Sequence, residues 1–207
     1  MLIKINRQDC LNTYPNFPLR SYDDKKDEEE FFYPKVFKSY TMTLHSKSFK
    51  GHIKQLGLEL LQLTQELAYD HLIFLGDKEL TWLNQFNDYK PAKEAQQFLV
   101  DNKIGKRFNG ALQVNSSELV TFVIHLSWLT RCNASLPYFH FTDHGQNMIG
   151  HICQYGNLHL DILNEVTAHV IHEFIDQSNL IEIEENNCFN QFGKTSAIAG
   201  RSIIPYK

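Results

Sequence analysis

The stretch from Leu119 to Leu129 constrains this chain most. Leu119, Val120, Phe122, Val123, Ile124, Leu126, Trp128 and Leu129 leave almost no polar stripe at helical spacing. A helix that is apolar nearly all round has to be covered on every side, so it lies under a sheet or between layers. Asn115 stands where an N-cap belongs, with Glu118 at the third helical position placed to reach back to it. Arg131-Cys132-Asn133 marks the end of that helix.

The rest of the chain supplies such layers. Tyr40, Met42 and Leu44 alternate with Thr41 and Thr43, the pattern of a half-buried strand. Ile53, Leu56, Leu60, Leu63 and Leu67 repeat at helical spacing, which predicts an amphipathic helix over 50–68. Leu72 to Leu75, closed by Gly76-Asp77, reads as a strand and turn. Pro91 opens a helix running towards Asn102. Arg107 to Val114 reads as a strand, with Gly110 as a bulge or a point of close approach.

Residues 137–154 predict a hairpin. A loop of two residues at His144-Gly145, or of four from Asp143 to Gln146, gives one register, with Tyr138 opposite His151. Phe139, Phe141, Met148 and Ile152 then share one face, and Tyr138, His140, Thr142, Asn147, Ile149, His151 and Cys153 share the other. Beyond Gly156-Asn157 and the Leu158-His159-Leu160 segment, a helix over 161–177 and a late strand at 180–183 follow. Single helices mixed with runs of strands predict an α+β fold: a largely antiparallel sheet with about four helices packed mainly on one face. Residues 1–30, with Pro15, Pro18 and the charged run Asp23 to Glu30, are expected to form an irregular polar arm ahead of one globular domain over 31–207.

Composition narrows the function classes. The chain of 207 residues carries a net charge of -4, which gives no basic field for nucleic acid. No window approaches the roughly 18 consecutive apolar residues of a membrane span, and the N-terminal segment lacks a signal-peptide core. Four cysteines, Cys10, Cys132, Cys153 and Cys188, occur without a Cys-x-x-Cys pair, which fits reduced thiols and a cytoplasmic setting.

Six of the ten histidines fall between His140 and His172. Histidine titrates near neutral pH and is the commonest metal ligand. On the hairpin, His140 and His151 are candidate general acid–base groups, with Tyr138 orienting them. One-sided burial of the sheet, with these residues facing solvent, explains the same alternation. On the following helix, Glu165, His169, His172 and Asp176 fall in one stripe, which makes Glu165, His169 and His172 candidate metal ligands. The segment His169-Val170-Ile171-His172-Glu173 matches no zinc-protease spacing, and Glu–His neighbours four apart on a solvated face are the plain alternative. Cys132, at a helix C-terminus, and Cys153 read as packing residues.

No nucleophile elbow, dinucleotide turn or calcium loop is present. Gly193-Lys194-Thr195 resembles the end of a phosphate-binding loop, but Cys188 stands at the required first glycine. The expectation is therefore an intracellular protein-binding domain of immunity or adaptor type with another protein as partner, since an aromatic-rich surface suits such contacts. The alternative is a small hydrolase, metal-dependent or not, built on the histidine-rich hairpin, with the N-terminal arm or residues 186–200 covering the site. No particular cofactor is indicated.

Overall fold

The computed structural model describes residues 2–23, 28–77, 80–83, 87–133, 139–183, 188–193 and 198–201. Its main element is an eight-stranded sheet, antiparallel at every pairing. In chain order the strands are β1 (Ile3–Ile5), then, after a separate hairpin of β2 (Leu19–Asp23) and β3 (Glu28–Phe32), β4 (Lys38–Thr43), β5 (His71–Leu75), β6 (Ala111–Asn115), β7 (His140–Thr142), β8 (Met148–Ile152), β9 (Leu158–Ile162) and β10 (Ile181–Glu182). Their order across the sheet is β1-β6-β5-β7-β8-β9-β4-β10. Five helices accompany them: α1 (Arg7–Thr13), α2 (Phe49–Glu66), α3 (Lys90–Asp101), α4 (Ser116–Cys132) and α5 (Glu165–Gln177). This is the α+β architecture expected from the sequence.

The apolar α4 occupies the central place its composition demands, packing against both α2 and α3 and against β5 and β6. Leu119, Phe122, Val123, Leu126 and Leu129 are all buried in the main core. That core takes Leu56, Leu60 and Leu63 from α2, Ala95 and Leu99 from α3, Ile171 and Ile175 from α5, and one face of the sheet from Tyr40 to Leu160. Asn115 is the N-cap residue of α4, but its side chain makes no cap bond; its Oδ1 instead accepts from Gln113 Nε2 at 3.4 Å.

Residues 2–17, polar as they are, include regular elements. Although its side chains are mostly exposed, β1 satisfies its backbone by pairing with β6 at the sheet edge. Short α1, capped by Asn6, buries Cys10 against the second sheet face. Cys10, Tyr14 and Phe17 meet Ile73, Leu75 and Ala111 there in a separate small cluster. Four helices thus cover one face and α1 covers part of the other.

The hairpin differs from expectation by a slip of two residues. His140, not Tyr138, stands opposite His151, and Thr142 faces Ile149; Tyr138 lies outside the described residues. The cause is Asp143, fully buried. Its Oδ1 accepts from Gly145 N at 2.8 Å and Asn147 Nδ2 at 2.9 Å, and its Oδ2 from Asn147 N at 2.7 Å and Met148 N at 3.2 Å. These side-chain bonds replace ladder bonds and lengthen the loop. An even slip leaves each residue on its expected face, so Phe139, Phe141, Met148 and Ile152 still enter the core.

Candidate thiol–imidazole site

On the sheet face away from the main core, pairing lines up three histidines across adjacent strands. His140 of β7 faces His151 of β8, and His151 faces His159 of β9. The His151 and His159 rings stack nearly coplanar, 4.4 Å apart and inclined by 4°. His140 meets His151 edge-on at 5.4 Å. This face is not simply solvated: the histidines are half-buried, and Thr142 and Ile149 beside them are buried. Burial, with His159 and His140 adding like-charge cost, holds the His151 imidazole well below its ordinary pKa, so it stays neutral.

His159 continues this row into a pair of cysteines. Its alternation with Leu158, Leu160 and Ile162, which are buried in the core, turns its ring to the other face. Thr41 Oγ1 on neighbouring β4 lies 3.2 Å from His159 Nδ1. His159 Nε2 is buried and makes no hydrogen bond to any described residue. Cys153 and Cys188 stand beside it, with Sγ atoms 3.2 Å apart. One ligand atom from each of Cys153, His159 and Cys188 lies within 4.8 Å of the others.

Local backbone geometry explains why Cys153 points here. Residues 153–157 form the tight turn between β8 and β9, closed by Cys153 N to Asn157 O at 3.0 Å and Gly156 N to Cys153 O at 2.9 Å. Gly156 at φ +85° permits it; a side chain there would also press on Phe49 and His52. The turn directs Tyr155 N at Cys153 Sγ, 3.4 Å away, and Asn157 Nδ2 at Cys188 Sγ, 3.0 Å away. Asn157 Nδ2 also donates to Phe189 O, fixing the returning segment. The Cys153 thiol beside it pulls the Cys188 pKa down, with the His159 imidazole and Asn157 amide adding to this and burial opposing it. The same hydrogen bond and burial push Cys153 up. Cys188 is thus the sulfur that ionises first.

Of the residues picked from sequence, His140 and His151 belong to this assembly. Glu165, His169 and His172 do not: all three are exposed on α5. His169 Nε2 pairs there with Glu173 Oε1 at 3.3 Å, the neighbour four along. Sequence patterning singles out none of His159, Cys188 and Asn157, and it reads Cys153 as a packing residue. The only signals for them were the His159 alternation and the position of Cys188 within the segment expected to cover the hairpin. No protein-family model matches this chain, and neither does any curated protein or solved structure.

Proposed function

We propose that this domain binds a zinc-class metal ion through Cys153, His159 and Cys188, and that the ion serves metal-assisted hydrolysis. The observation that carries it is the convergence of two sulfurs and a buried imidazole nitrogen that has no hydrogen-bond partner among the described residues. A buried polar atom without a hydrogen bond is costly, and ligation would remove that cost. Zinc–sulfur bonds of about 2.3 Å in a tetrahedron set two thiolates roughly 3.8 Å apart. The present 3.2 Å gap would need to open by only about half an ångström.

The surroundings have the form expected around such an ion. If Thr41 Oγ1 accepts from His159 Nδ1–H, the tautomer is fixed with the Nε2 lone pair towards the sulfurs. N–H groups of Tyr155 and Asn157 aimed at the sulfurs favour thiolates. Three ligands from the described residues leave one tetrahedral position for water, the arrangement of catalytic zinc. His151 and His140, continuing the row from His159, are the acid–base candidates.

A protein-binding role has less behind it. Among the described residues, the exposed large apolar side chains Ile3, Phe37, Leu58, Tyr89, Val100, Val166 and Phe189 are spread over β1, α2, α3, α5 and the segments between elements.

Protein purified reduced and without chelators should carry close to one equivalent of zinc by mass spectrometry. Cobalt substitution should give a thiolate-to-cobalt charge-transfer band that Cys188→Ser removes. Folded, reduced protein that takes up neither ion would overturn the proposal. A ready Cys153–Cys188 disulfide in such protein would point to a redox pair instead.

A further inference from the structure

A second site opens where the N-terminus of α2 meets the C-terminus of α4. It is a cavity of about 570 Å3, within the size range of small-ligand pockets. Its walls include Phe49, Tyr89, Trp128 and Phe192 with Lys47 and Arg131, and no aspartate or glutamate among the described residues. In a chain of net charge -4, a cavity lined by two cations and no carboxylate is unexpected.

Arg131 is the central group. Only 7% of it is exposed, and its guanidinium lies over the Phe49 ring at 4.1 Å. Its side chain makes one hydrogen bond among the described residues, Nη1 to Gln154 O at 3.1 Å, out of five N–H groups. No described carboxylate pairs with it, whereas buried charges are normally paired. The C-terminal carbonyls of α4 could offset its charge, but Arg201 Nη1 already occupies two of them, Thr130 O at 3.2 Å and Arg131 O at 2.8 Å. That second guanidinium adds positive charge. The first turn of α2, with Ser48 as its N-cap, brings the positive end of an 18-residue helix to the same cavity.

The aromatic walls set the other half of the ligand. Phe49 meets Trp128 edge-on at 4.8 Å and Phe192 at 5.5 Å, and Tyr89 meets Trp128 at 6.0 Å. Rings held at such angles present both faces and edges to a flat guest.

We infer that this cavity binds an aromatic organic anion, its ring among Phe49, Trp128 and Phe192 and its carboxylate on Arg131 and Lys47. The site is independent of the metal centre in its ligand chemistry, although the turn that carries Cys153 also supplies Gln154 O to Arg131.

Calorimetric titration with 2-naphthoate and its neutral counterpart 2-naphthamide tests this on the full chain. Naphthoate should bind at one saturable site, and naphthamide at least about tenfold more weakly, the value of one charge-assisted contact. Arg131→Met should weaken naphthoate at least about tenfold, to the level of naphthamide or below, while leaving naphthamide nearly unchanged. Should that variant fail to fold, Lys47→Glu, at an exposed position, should still weaken naphthoate severalfold and leave naphthamide alone. Equal binding of the two probes, or no saturable binding of naphthoate to folded protein, would overturn the inference. Failure of zinc binding would leave it untouched.

Discussion

Two rows of histidine-bearing positions invite comparison, one on α5 and one across β7, β8 and β9. Glu165, His169 and His172 are neighbours in sequence and share a helical stripe, yet all remain exposed. His140, His151 and His159 are spread over three strands, yet pairing sets them side by side, and the last meets two cysteines. Helical spacing guarantees a common face but not a surrounding. Strand pairing supplies both, because neighbouring strands and the segments that cover them close around each side chain. A ligand set needs enclosure as well as proximity, and only the strand row has it.

The largest expected effect separates the two rows directly. Cys188→Ser should reduce bound zinc from about one equivalent to near zero, a loss of at least about 100-fold in affinity. The double substitution His169→Ala with His172→Ala should leave zinc content unchanged. Metal analysis on the two purified variants checks both. The reverse pattern would move the centre to α5 and break the comparison.

How far each row could be read from sequence follows from the same physics. The α4 helix, the two faces of the hairpin and the α+β class were legible because they rest on periodicity, which survives an even slip in register. The slip itself was hidden, since it depends on four hydrogen bonds that Asp143 accepts within the folded loop. The cysteine pair was hidden for a different reason. Cys153 and Cys188 are 35 residues apart and meet only after β9, α5 and β10 have been placed. The α5 stripe, by contrast, was visible at once because it is local, and locality is what leaves it in solvent.

The next effect concerns the packing that holds the strand row together. Gly150 lies between His151 and Ile149 on β8, with its face turned to the core. A β-carbon there would come within 2.2 Å of Phe141 Cζ and 2.7 Å of Leu160 Cδ2. Gly150→Ala should destabilise the fold by about 2–3 kcal/mol through overpacking, measured as a shift in urea midpoint. Phe141→Leu in the same chain should restore part of the loss by making room. If it does not, the clash is not what limits the site.

A smaller effect is the response of the fold to acid. His52 is fully buried, with Nε2 2.9 Å from Gly156 O and Nδ1 3.3 Å from Gln191 Nε2. Burial depresses its pKa below 6.5, against opposing hydrogen bonds and with a minor contribution from Arg131. His125, stacked on Phe98 at 4.3 Å, is depressed by burial as well, with Glu94 opposing. Below 6.5 the unfolded chain takes up protons that the folded chain refuses, so stability holds above 6.5 and falls as the pH drops towards the folded-state values. The urea midpoint of zinc-free protein should therefore decline between pH 7 and pH 5. His125→Phe, which can keep the stack on Phe98, should make that decline shallower. A midpoint that rises on acidification would contradict the buried, neutral state of these two rings.

The smallest effect closes the comparison from the α5 side. The His169–Glu173 pair spans 3.3 Å between side chains that are 74% and 59% exposed. Solvent screens such a pair, and ordering two long side chains offsets most of what remains. His169→Ala should thus change stability by no more than about 0.5 kcal/mol, and added salt should move the wild type and the variant together. His159→Ala should behave differently, because it removes an enclosed ring that stacks on His151 and faces both sulfurs. In zinc-free protein its urea midpoint should drop measurably while that of His169→Ala does not. Equal midpoints would mean that the enclosure of the strand row contributes nothing without metal, and that its order depends on the ion it is proposed to bind.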